Sequence, residues 1–314
     1  MNHQQEIDRQ GGCFLGLAIG DALGAAVEFK SPGTFPPVTG YRDGGPHGLG
    51  PGEWTDDTSM ALALAESMIE VGWDLDDQAK RYVDWWKNGR YSVNDRCFDI
   101  GITVSQALRR YQQSGDASTS GSTDDMASGN GSIMRFAPVA VRYFSLLTTD
   151  TRHLMQLAEE SSRPTHGSEQ CLSACRYFCL ILSGLIQGIS REEVLSSDWV
   201  VLKEEAARKL FHPAVTAVIE GSYLHKQPPE IRGTGYVVQS IEAALWAFWT
   251  TDNFPDAVLA AINLGDDADT TGAVCGQLAG AYYGESGIPN EWKSRLAQFE
   301  MLDVPLQKLI ELSH

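Results

Sequence analysis

Helical periodicity is the feature that most limits the fold of this 314-residue chain. Apolar residues recur three or four positions apart in many segments, which is the spacing of one face of an α-helix. Clear examples are GGCFLGLAIGDALGAAVEF (11–29), SMALALAESMIEVG (59–72), EQCLSACRYFCLILSGLI (169–186) and TTGAVCGQLAGAYYG (270–284). Alternating, strand-like runs are few, and the best of them, SDWVVLK (197–203), is weak. The pattern therefore predicts an all-α fold around a compact helical core.

Two long irregular segments interrupt the helical pattern. Residues 30–54 are rich in Gly and Pro, and residues 114–131 are rich in Ser and Gly. Loops of this length are uncommon in compact domains and are usually functional or mobile. Helical periodicity resumes directly after each segment, so neither resembles an interdomain linker. We therefore expect residues 1–314 to form a single domain.

The charge balance argues against several classes of partner. The chain has 41 acidic and 24 basic residues, a formal net charge of −17 and no Lys/Arg run, so it should repel a nucleic-acid backbone. No stretch approaches about 18 uninterrupted apolar residues, and YFCLILSGLI (177–186) is predicted to be a buried helix. The N-terminus, MNHQQEIDRQGG, lacks the apolar region of a signal peptide. We therefore expect a soluble cytoplasmic protein that binds neither nucleic acid nor membranes.

The cysteines agree with a reducing compartment. None of the six forms a CxxC pair. Cys171, Cys175 and Cys179 are four residues apart, so they stack along one face of a helix. A soft-metal site is one interpretation of this stripe, but buried free thiols are the commoner outcome.

Two predicted helix starts carry more carboxylates than capping requires. Each offers a Thr hydroxyl and two aspartates, in the triplets Thr55, Asp56, Asp57 and Asp267, Asp269, Thr270. One side-chain oxygen satisfies each unpaired N–H, so capping explains one aspartate at each start and not two. All six donors are hard oxygens, which suit Mg²⁺, Mn²⁺ or Ca²⁺ and not zinc. If the fold brings the two helix starts together, four carboxylates share one small volume. They can then all stay ionised only if cations lie beside them. Spacing alone leaves both a two-metal site and solvated caps open.

Other acidic strings show that charge alone does not identify a site. STDDM (122–126) repeats the Thr-Asp-Asp string, but no apolar helix follows it directly. WDLDD (73–77) fits a cap for the helix that follows. We interpret both strings as solvated or capping residues.

Six motifs, in order, closely resemble those of the ADP-ribosylglycohydrolase family: GLAIGDALGAAVEF, GEWTDDTSMAL, RCFDIG, GNGSIMRFAPVAV, THGSEQC and LGDDADTTGAVCGQLAGAYYG. Each motif is weak alone, but together they extend from about Gly11 to about Gly284. The type is closest to dinitrogenase reductase-activating glycohydrolase, an ADP-ribosylarginine hydrolase. The resemblance implies an all-α domain with two Mg²⁺ or Mn²⁺ ions. It also implies hydrolysis of the bond between ADP-ribose and a side chain, most readily arginine, of an ADP-ribosylated protein. ADP-ribose is released, and we expect a monomer.

The resemblance assigns the metal ligands and the catalytic acids. The two triplets match the metal-binding motifs of the family, whereas Asp266 falls where many relatives have Gly and is left out of the ligand set. Asp99 matches the acid proposed as general base, and Phe98 and Gly101 complete its motif, which favours it over nearby Asp95. Glu28 matches an acid that some relatives use near the metals and the scissile bond. The choice between Asp99 and Glu28 as the main base stays open.

The resemblance also implies a substrate-binding set. Its members match a phosphate-binding loop and a contact to the phosphates or distal ribose of ADP-ribose: Gly129, Asn130, Gly131, Ser132, Met134 and His166. Glycines allow close approach of the backbone to a ligand, and N–H groups at a helix start hold phosphate. We expect Arg135 to face a carboxylate in the fold. Asp21, seven residues before Glu28, is expected to be structural and to hydrogen-bond to a neighbouring loop.

Three alternative functions remain at this stage. The first is a silent ADP-ribose-binding relative, which retention of both Asp-containing motifs disfavours. The second is hydrolysis of serine-linked or other ADP-ribose conjugates, and the CFDIG motif favours arginine because serine-directed relatives generally lack it. The third is an unrelated binuclear phosphoesterase, whose sites usually add His ligands, and no HxH or HD motif is present.

Overall fold

The computed structural model describes residues 2–203 and 210–314. The helices of these residues are α1 (His3–Gly24), α2 (Asp56–Glu70), α3 (Leu75–Asn88), α4 (Ile102–Ser114), α5 (Ala137–Tyr143), α6 (Leu146–Thr149), α7 (Thr151–Ser162), α8 (Glu169–Ile186), α9 (Arg191–Val194), α10 (Val200–Lys203), α11 (Pro213–Ile219), α12 (Val237–Trp249), α13 (Phe254–Ile262), α14 (Ala268–Tyr283), α15 (Asn290–Arg295) and α16 (Phe299–Ser313). Within the described ranges, extended pairing is limited to isolated bridges, which confirms the all-α prediction.

The weak strand-like run at residues 197–203 is not a strand. Val200–Lys203 forms a single helical turn, in which the N–H groups of Leu202 and Lys203 donate to the carbonyl of Trp199. Trp199 and Leu202 are both buried, and their spacing of three places them on the same side of a helical turn. Burial of this pair outweighs the β-branched Val200 and Val201.

Helix α1 is the central helix of the fold. It begins at His3, before the predicted start at Gly11, because Asn2 and Gln5 form a capping box. By length and composition the segment His3–Val27 could cross a membrane, contrary to the expectation that no stretch comes close. Its apolar window is, however, wholly buried inside the fold, which is the behaviour of a packed core helix.

Helices α1 and α14 run antiparallel along what we call the glycine seam, which consists of Gly12, Gly16, Gly20 and Gly24 of α1 and Gly272, Gly276 and Gly280 of α14. A Cβ built at Gly16 would lie 2.2 Å from the carbonyl oxygen of Gly276, and one at Gly276 would lie 2.0 Å from that of Gly16. Only glycine permits such contacts. The small residues of α14 thus allow a close helix contact, and its partner is α1.

The cysteine stripe belongs to the core. Cys171, Cys175 and Cys179 lie on α8, are fully buried, and are free thiols. Burial raises the pKa of Cys171 to about 12, so this thiol stays protonated at neutral pH. The prediction that these cysteines form a buried stripe is confirmed.

Candidate metal centre and active site

Asp21 of α1 holds the start of α2 in place. Its Oδ1 accepts hydrogen bonds from the N–H and the hydroxyl of Thr55, each at 2.9 Å. Its Oδ2 accepts from the N–H of Thr58 at 3.0 Å and from the Thr58 hydroxyl at 2.6 Å. Burial raises the pKa of Asp21 to about 6, and these hydrogen bonds act in the opposite direction. The structural role expected for Asp21 is confirmed, and it satisfies a helix start that no local side chain caps.

The two Thr/Asp triplets meet, although they lie more than 200 residues apart in the sequence. The hydroxyl oxygen of Thr55, which donates its proton to Asp21, also lies 3.2 Å from Asp269 Oδ2. The hydroxyl of Thr270 donates to Asp57 Oδ1 at 3.2 Å. Each threonine therefore reaches from its own helix start to the aspartate of the other, and the solvated-cap interpretation is wrong.

The triplets and their neighbours form two overlapping groups of oxygen donors. Asp21, Asp57 and Asp269 offer carboxylate oxygens within 4.8 Å of one another, and so do Glu28, Asp267 and Asp269. Asp269 belongs to both groups. Two adjacent positions that share one carboxylate are an arrangement suited to a pair of cations.

The chemistry of these donors fits hard divalent cations. Burial and neighbouring carboxylates raise the pKa values of Asp56, Asp57 and Asp269 well above the usual range. Among the residues that the structure describes, Asp269 Oδ1 is buried without a hydrogen-bond partner. A cation would both satisfy this oxygen and restore the ionised forms, and an all-oxygen set favours Mg²⁺ or Mn²⁺ over zinc.

Asp267 and Asp266 are adjacent but have different roles. Asn130 Nδ2 donates to Asp267 Oδ2 at 2.6 Å, and the Asp267 N–H donates to the carbonyl of Gly233 at 2.8 Å. Burial raises the pKa of Asp267 to about 6 despite the Asn130 hydrogen bond. The carboxylate of Asp266 instead pairs with Arg232 at 3.1 Å. Leaving Asp266 out of the ligand set agrees with this geometry.

Asp99 and Glu28 lie together beside the Thr/Asp triplets, and sequence reasoning missed the residue that joins them. His47 Nε2 lies 3.2 Å from Asp99 Oδ1 and 3.3 Å from Glu28 Oε2. Burial and neighbouring carboxylates raise the pKa of Glu28 to about 9. Burial also raises the pKa of Asp99, while His47 and hydrogen bonds from Asp56 and Glu28 oppose that rise.

A tight turn in the first irregular segment presents His47. The N–H of Gly44 donates to the carbonyl of Leu49 at 2.8 Å, and the N–H of Leu49 donates back at 2.9 Å. Gly44, Gly45 and Gly48 have positive φ, which the turn requires and glycine supplies. The Gly-rich composition around His47 was the available signal, but it does not show where the turn packs.

An open cleft of about 750 Å³ lies over this centre. Its lining comprises Glu28, Phe29, Asp56, Asp99, Gly101, Ile102, Thr103, Val104, Gly129, Asn130, Gly131, Met134, His166, Gly235, Asp267 and Thr270. Both irregular segments therefore contribute to the site, through His47 and through residues 129–131. Of the predicted substrate-binding residues, Ser132 is buried and is not part of the lining.

Gly129, Gly131 and His166 form one wall of the cleft. A Cβ at Gly131 would lie 2.7 Å from His166 Cε1, so this position needs glycine while the ring is in place. Burial lowers the pKa of His166 to about 3, which keeps the imidazole neutral and leaves its role one of hydrogen bonding. The segment 131–135 is a turn, and the helix begins later, at Ala137. The phosphate-binding role of this segment stays a prediction.

The expectation that Arg135 faces a carboxylate is wrong. Its guanidinium donates to the carbonyls of Gly131 (2.6 Å) and Ser161 (3.1 Å) and to the Thr165 hydroxyl (2.8 Å). It also lies 4.7 Å from the ring centroid of Tyr82. Arg135 thus stabilises the cleft wall from inside the protein. Two backbone carbonyls and one hydroxyl accept its hydrogen bonds in place of a carboxylate.

The other acidic strings are caps, as predicted. Asp74 accepts hydrogen bonds from the N–H groups of Asp76 and Asp77 at the start of α3. Asp124 accepts from the N–H of Met126 in a short turn of helix. Asp95 is exposed and is not part of the cleft lining, which agrees with the preference for Asp99.

Comparison with known proteins places this geometry in a family. The ADP-ribosylglycohydrolase family profile matches residues 2–313. The ADP-ribosylarginine hydrolase Tri1 of Serratia proteamaculans (strain 568) is 41% identical over 98% of this chain and 81% of its own length. The ADP-ribosyl-[dinitrogen reductase] glycohydrolase of Rhodospirillum rubrum is 33% identical over 92% of this chain and 90% of its own.

A solved structure shows the same fold. The chain described as an ADP-ribosylglycohydrolase-related protein complex superposes with a TM-score of 0.85 at 39% identity, covering 99% of this chain and 100% of that one. The resemblance of six short motifs is thus extended to nearly the whole length of both proteins. This chain belongs to the ADP-ribosylglycohydrolase family.

Proposed function

We propose that this protein hydrolyses the N-glycosidic bond between ADP-ribose and a modified arginine side chain of a protein, with two Mg²⁺ or Mn²⁺ ions. The observation that carries the proposal is the meeting of the two Thr/Asp triplets on the floor of a cleft that also contains Asp99 and Glu28. The name of the Serratia relative, ADP-ribosylarginine hydrolase, specifies arginine as the acceptor, which favours arginine over serine.

The carboxylate floor suits the charge that develops during cleavage. As the bond from ribose C1″ to the arginine nitrogen breaks, its electron pair leaves with the guanidino group and C1″ becomes cationic. Negative groups placed beforehand around C1″ stabilise this state. Bound divalent ions would supply neutralisation of the aspartates, orientation of the ribose hydroxyls and a lower pKa for the attacking water.

We assign the general base to Asp99. Asp99 lines the cleft and lies outside the two carboxylate groups that share Asp269, whereas Glu28 belongs to one of them. His47 favours ionised Asp99. Asp99 can then take the proton of the attacking water, a step worth about 10²–10⁴ in rate. Glu28 and His47 position Asp99.

The other wall of the cleft would hold the rest of ADP-ribose. Neutral His166 and the amide of Asn130 can hydrogen-bond to ribose or phosphate oxygens, and Gly129 and Gly131 let the backbone approach closely. Asn130 also holds Asp267 at 2.6 Å, so the same residue links the substrate wall to the metal floor.

The test compares matched aspartates. Asp57→Asn alters the floor, whereas Asp124→Asn makes the same substitution in the Ser122–Met126 string, where this aspartate only caps a turn. Both proteins and the wild type are incubated with arginine-linked and serine-linked ADP-ribosyl peptides, in Mn²⁺ or in EDTA. We expect release of ADP-ribose from the arginine conjugate in Mn²⁺, loss of at least about 10³-fold in Asp57→Asn, and none in Asp124→Asn.

Three outcomes would contradict the proposal. Full activity of the wild type in EDTA would refute the metal centre. Tight binding of ADP-ribose without hydrolysis of either conjugate would favour a silent binding protein, and faster release from serine would change the acceptor.

We further infer a single domain, a monomer and a cytoplasmic location. The family profile spans residues 2–313, and every group used above comes from one chain. The six cysteines, all within the described residues, are free, which suits a reducing compartment.

A further inference from the structure

Two large apolar side chains are exposed at the cleft. Phe29 is 67% exposed, Ile102 is 76% exposed, and both belong to the cleft lining. Phe29 directly follows Glu28, and Ile102 comes three residues after Asp99, at the start of α4. The pair therefore lies next to the two carboxylates that the proposed function places at the scissile bond. Such exposure contributes nothing to the core and marks contact sites when it lies beside a cleft.

The backbone of Phe29 is a second, independent observation. Its φ is +61°, in the left-handed region that a bulky aromatic residue rarely adopts. Two hydrogen bonds maintain it: the Phe29 N–H donates to the Asp266 carbonyl at 2.7 Å, and the Asp266 N–H donates to the Lys30 carbonyl at 2.8 Å. A strained residue that keeps a ring in solvent at the edge of a cleft points to a function for that ring.

We propose that Phe29 and Ile102 form an apolar rim that contacts the polypeptide carrying the modified arginine, and that this rim selects arginines with apolar neighbours. The inference rests on the proposed function. The interior of the cleft, lined by Asn130, Gly131 and His166, is taken up by ADP-ribose. The arginine must then extend outward past Glu28 and Asp99, so its neighbours in the polypeptide reach the rim.

The experiment uses three probes with one linkage. They are ADP-ribosylarginine as the free amino acid, a peptide with the ADP-ribosylated arginine between serines, and the same peptide with leucines in place of those serines. kcat/KM is measured for the wild type, Phe29→Ser, Ile102→Ser and the double variant. Val304→Ser is the matched control, because Val304 is 53% exposed on α16 and lines a different groove, beside Glu66 and Tyr91.

We expect the wild type to prefer the leucine peptide to the serine peptide by about tenfold in kcat/KM, which is about 1.4 kcal/mol. Phe29→Ser and Ile102→Ser should each remove most of this preference, whereas Val304→Ser should keep it. With the free amino acid, all variants should stay within about twofold of the wild type, because no polypeptide reaches the rim.

The outcomes separate this inference from the proposed function. An equal loss on all three probes would show that the rim contacts ADP-ribose or affects the chemistry, and would overturn the inference. A leucine preference that survives in the double variant, or a wild type without any preference, would also overturn it while leaving arginine hydrolysis intact. If the wild type cleaves none of the probes in Mn²⁺, the proposed function fails and the rim proposal fails with it.

Discussion

The glycine seam predicts that one added methyl group on α1 damages the candidate site more than the fold. A Cβ at Gly24 would lie 2.4 Å from Asp269 Cα and 2.5 Å from both the Asp269 nitrogen and the Ala268 carbonyl oxygen. Ordinary contacts of a Cβ begin at 3.4 Å, so Gly24→Ala requires α1 and the start of α14 to separate by about 1 Å. Asp269 belongs to both carboxylate groups, so this shift disturbs both.

The expected magnitudes follow from that displacement. Overpacking of a tight interior costs about 1–3 kcal/mol of stability, and the better helix propensity of Ala returns up to about 1 kcal/mol. We therefore expect a net loss of about 1–2 kcal/mol, which lowers Tm by about 2–3 °C in a chain of this size. A misplacement of about 1 Å in a catalytic constellation costs about 100-fold in rate.

The matched control is Gly12→Ala. Its Cβ would lie 2.2 Å from the Gly280 carbonyl oxygen, which is a clash of the same kind at the other end of the seam. Twelve residues of helix separate Gly12 from Gly24, or about 18 Å. Melting temperatures are measured by circular dichroism, and kcat with ADP-ribosylarginine in saturating Mn²⁺. Both variants should lose similar stability, and only Gly24→Ala should lose about 100-fold in kcat. Equal kcat in the two variants would refute the view that the seam positions Asp269.

Three further predictions concern the residues around the carboxylates. Asp21→Asn weakens the four hydrogen bonds to α2 and should lower Mn²⁺ affinity in calorimetry by about tenfold, whereas an unchanged affinity would contradict its positioning role. His47→Ala should lower kcat by about tenfold with KM within twofold, and His47→Gln should recover part of it; a change in KM alone would oppose contact with Asp99. In EDTA, Tm should fall by about 5 °C as the pH rises from 5 to 8. The pKa values of Asp267 (about 6) and Glu28 (about 9) are raised in the folded state. The folded state therefore binds more protons than the unfolded state in this range and loses stability as the pH rises. Mn²⁺ should therefore raise Tm more at pH 8 than at pH 5, and a Tm that rises with pH in EDTA would contradict the raised values.

Much of the floor of the site could be predicted from local sequence. Each triplet lies within four consecutive residues at the start of a helical pattern, so residue type and helix start together indicate hard-metal ligands. The small residues after Asp269 also predict a close helix contact. The sequence does not say which helix makes that contact, because several segments are rich in Gly and Ala. The seam with α1 brings Asp21 and Glu28 to the triplets, and it depends on the tertiary fold.

The parts that could not be predicted depend on groups that leave no sequence pattern. His47 lies in a segment without periodicity, and it reaches Asp99 only because the Gly44–Leu49 turn packs over the cleft. Arg135 is satisfied by backbone carbonyls and a hydroxyl, and carbonyl acceptors are the same at every residue. The sequence around Arg135 suggests a charged partner, because an arginine in a functional motif usually has one. The fold supplies neutral partners instead.

The carboxylates on the floor of the cleft are more strongly restrained than the apolar rim, and this difference indicates where the choice of acceptor polypeptide can change. The floor is restrained from many sides, because Asp21 makes four hydrogen bonds to α2 and the seam leaves no room for a methyl group beside Asp269. Neighbouring carboxylates repel one another, so they stay close together only where the surrounding structure holds them in place. Phe29 and Ile102 have no comparable packing, so their side chains can be exchanged without moving a metal ligand. Substitutions at the rim should therefore alter the choice of polypeptide at little cost in stability, whereas substitutions at the floor should lose the reaction.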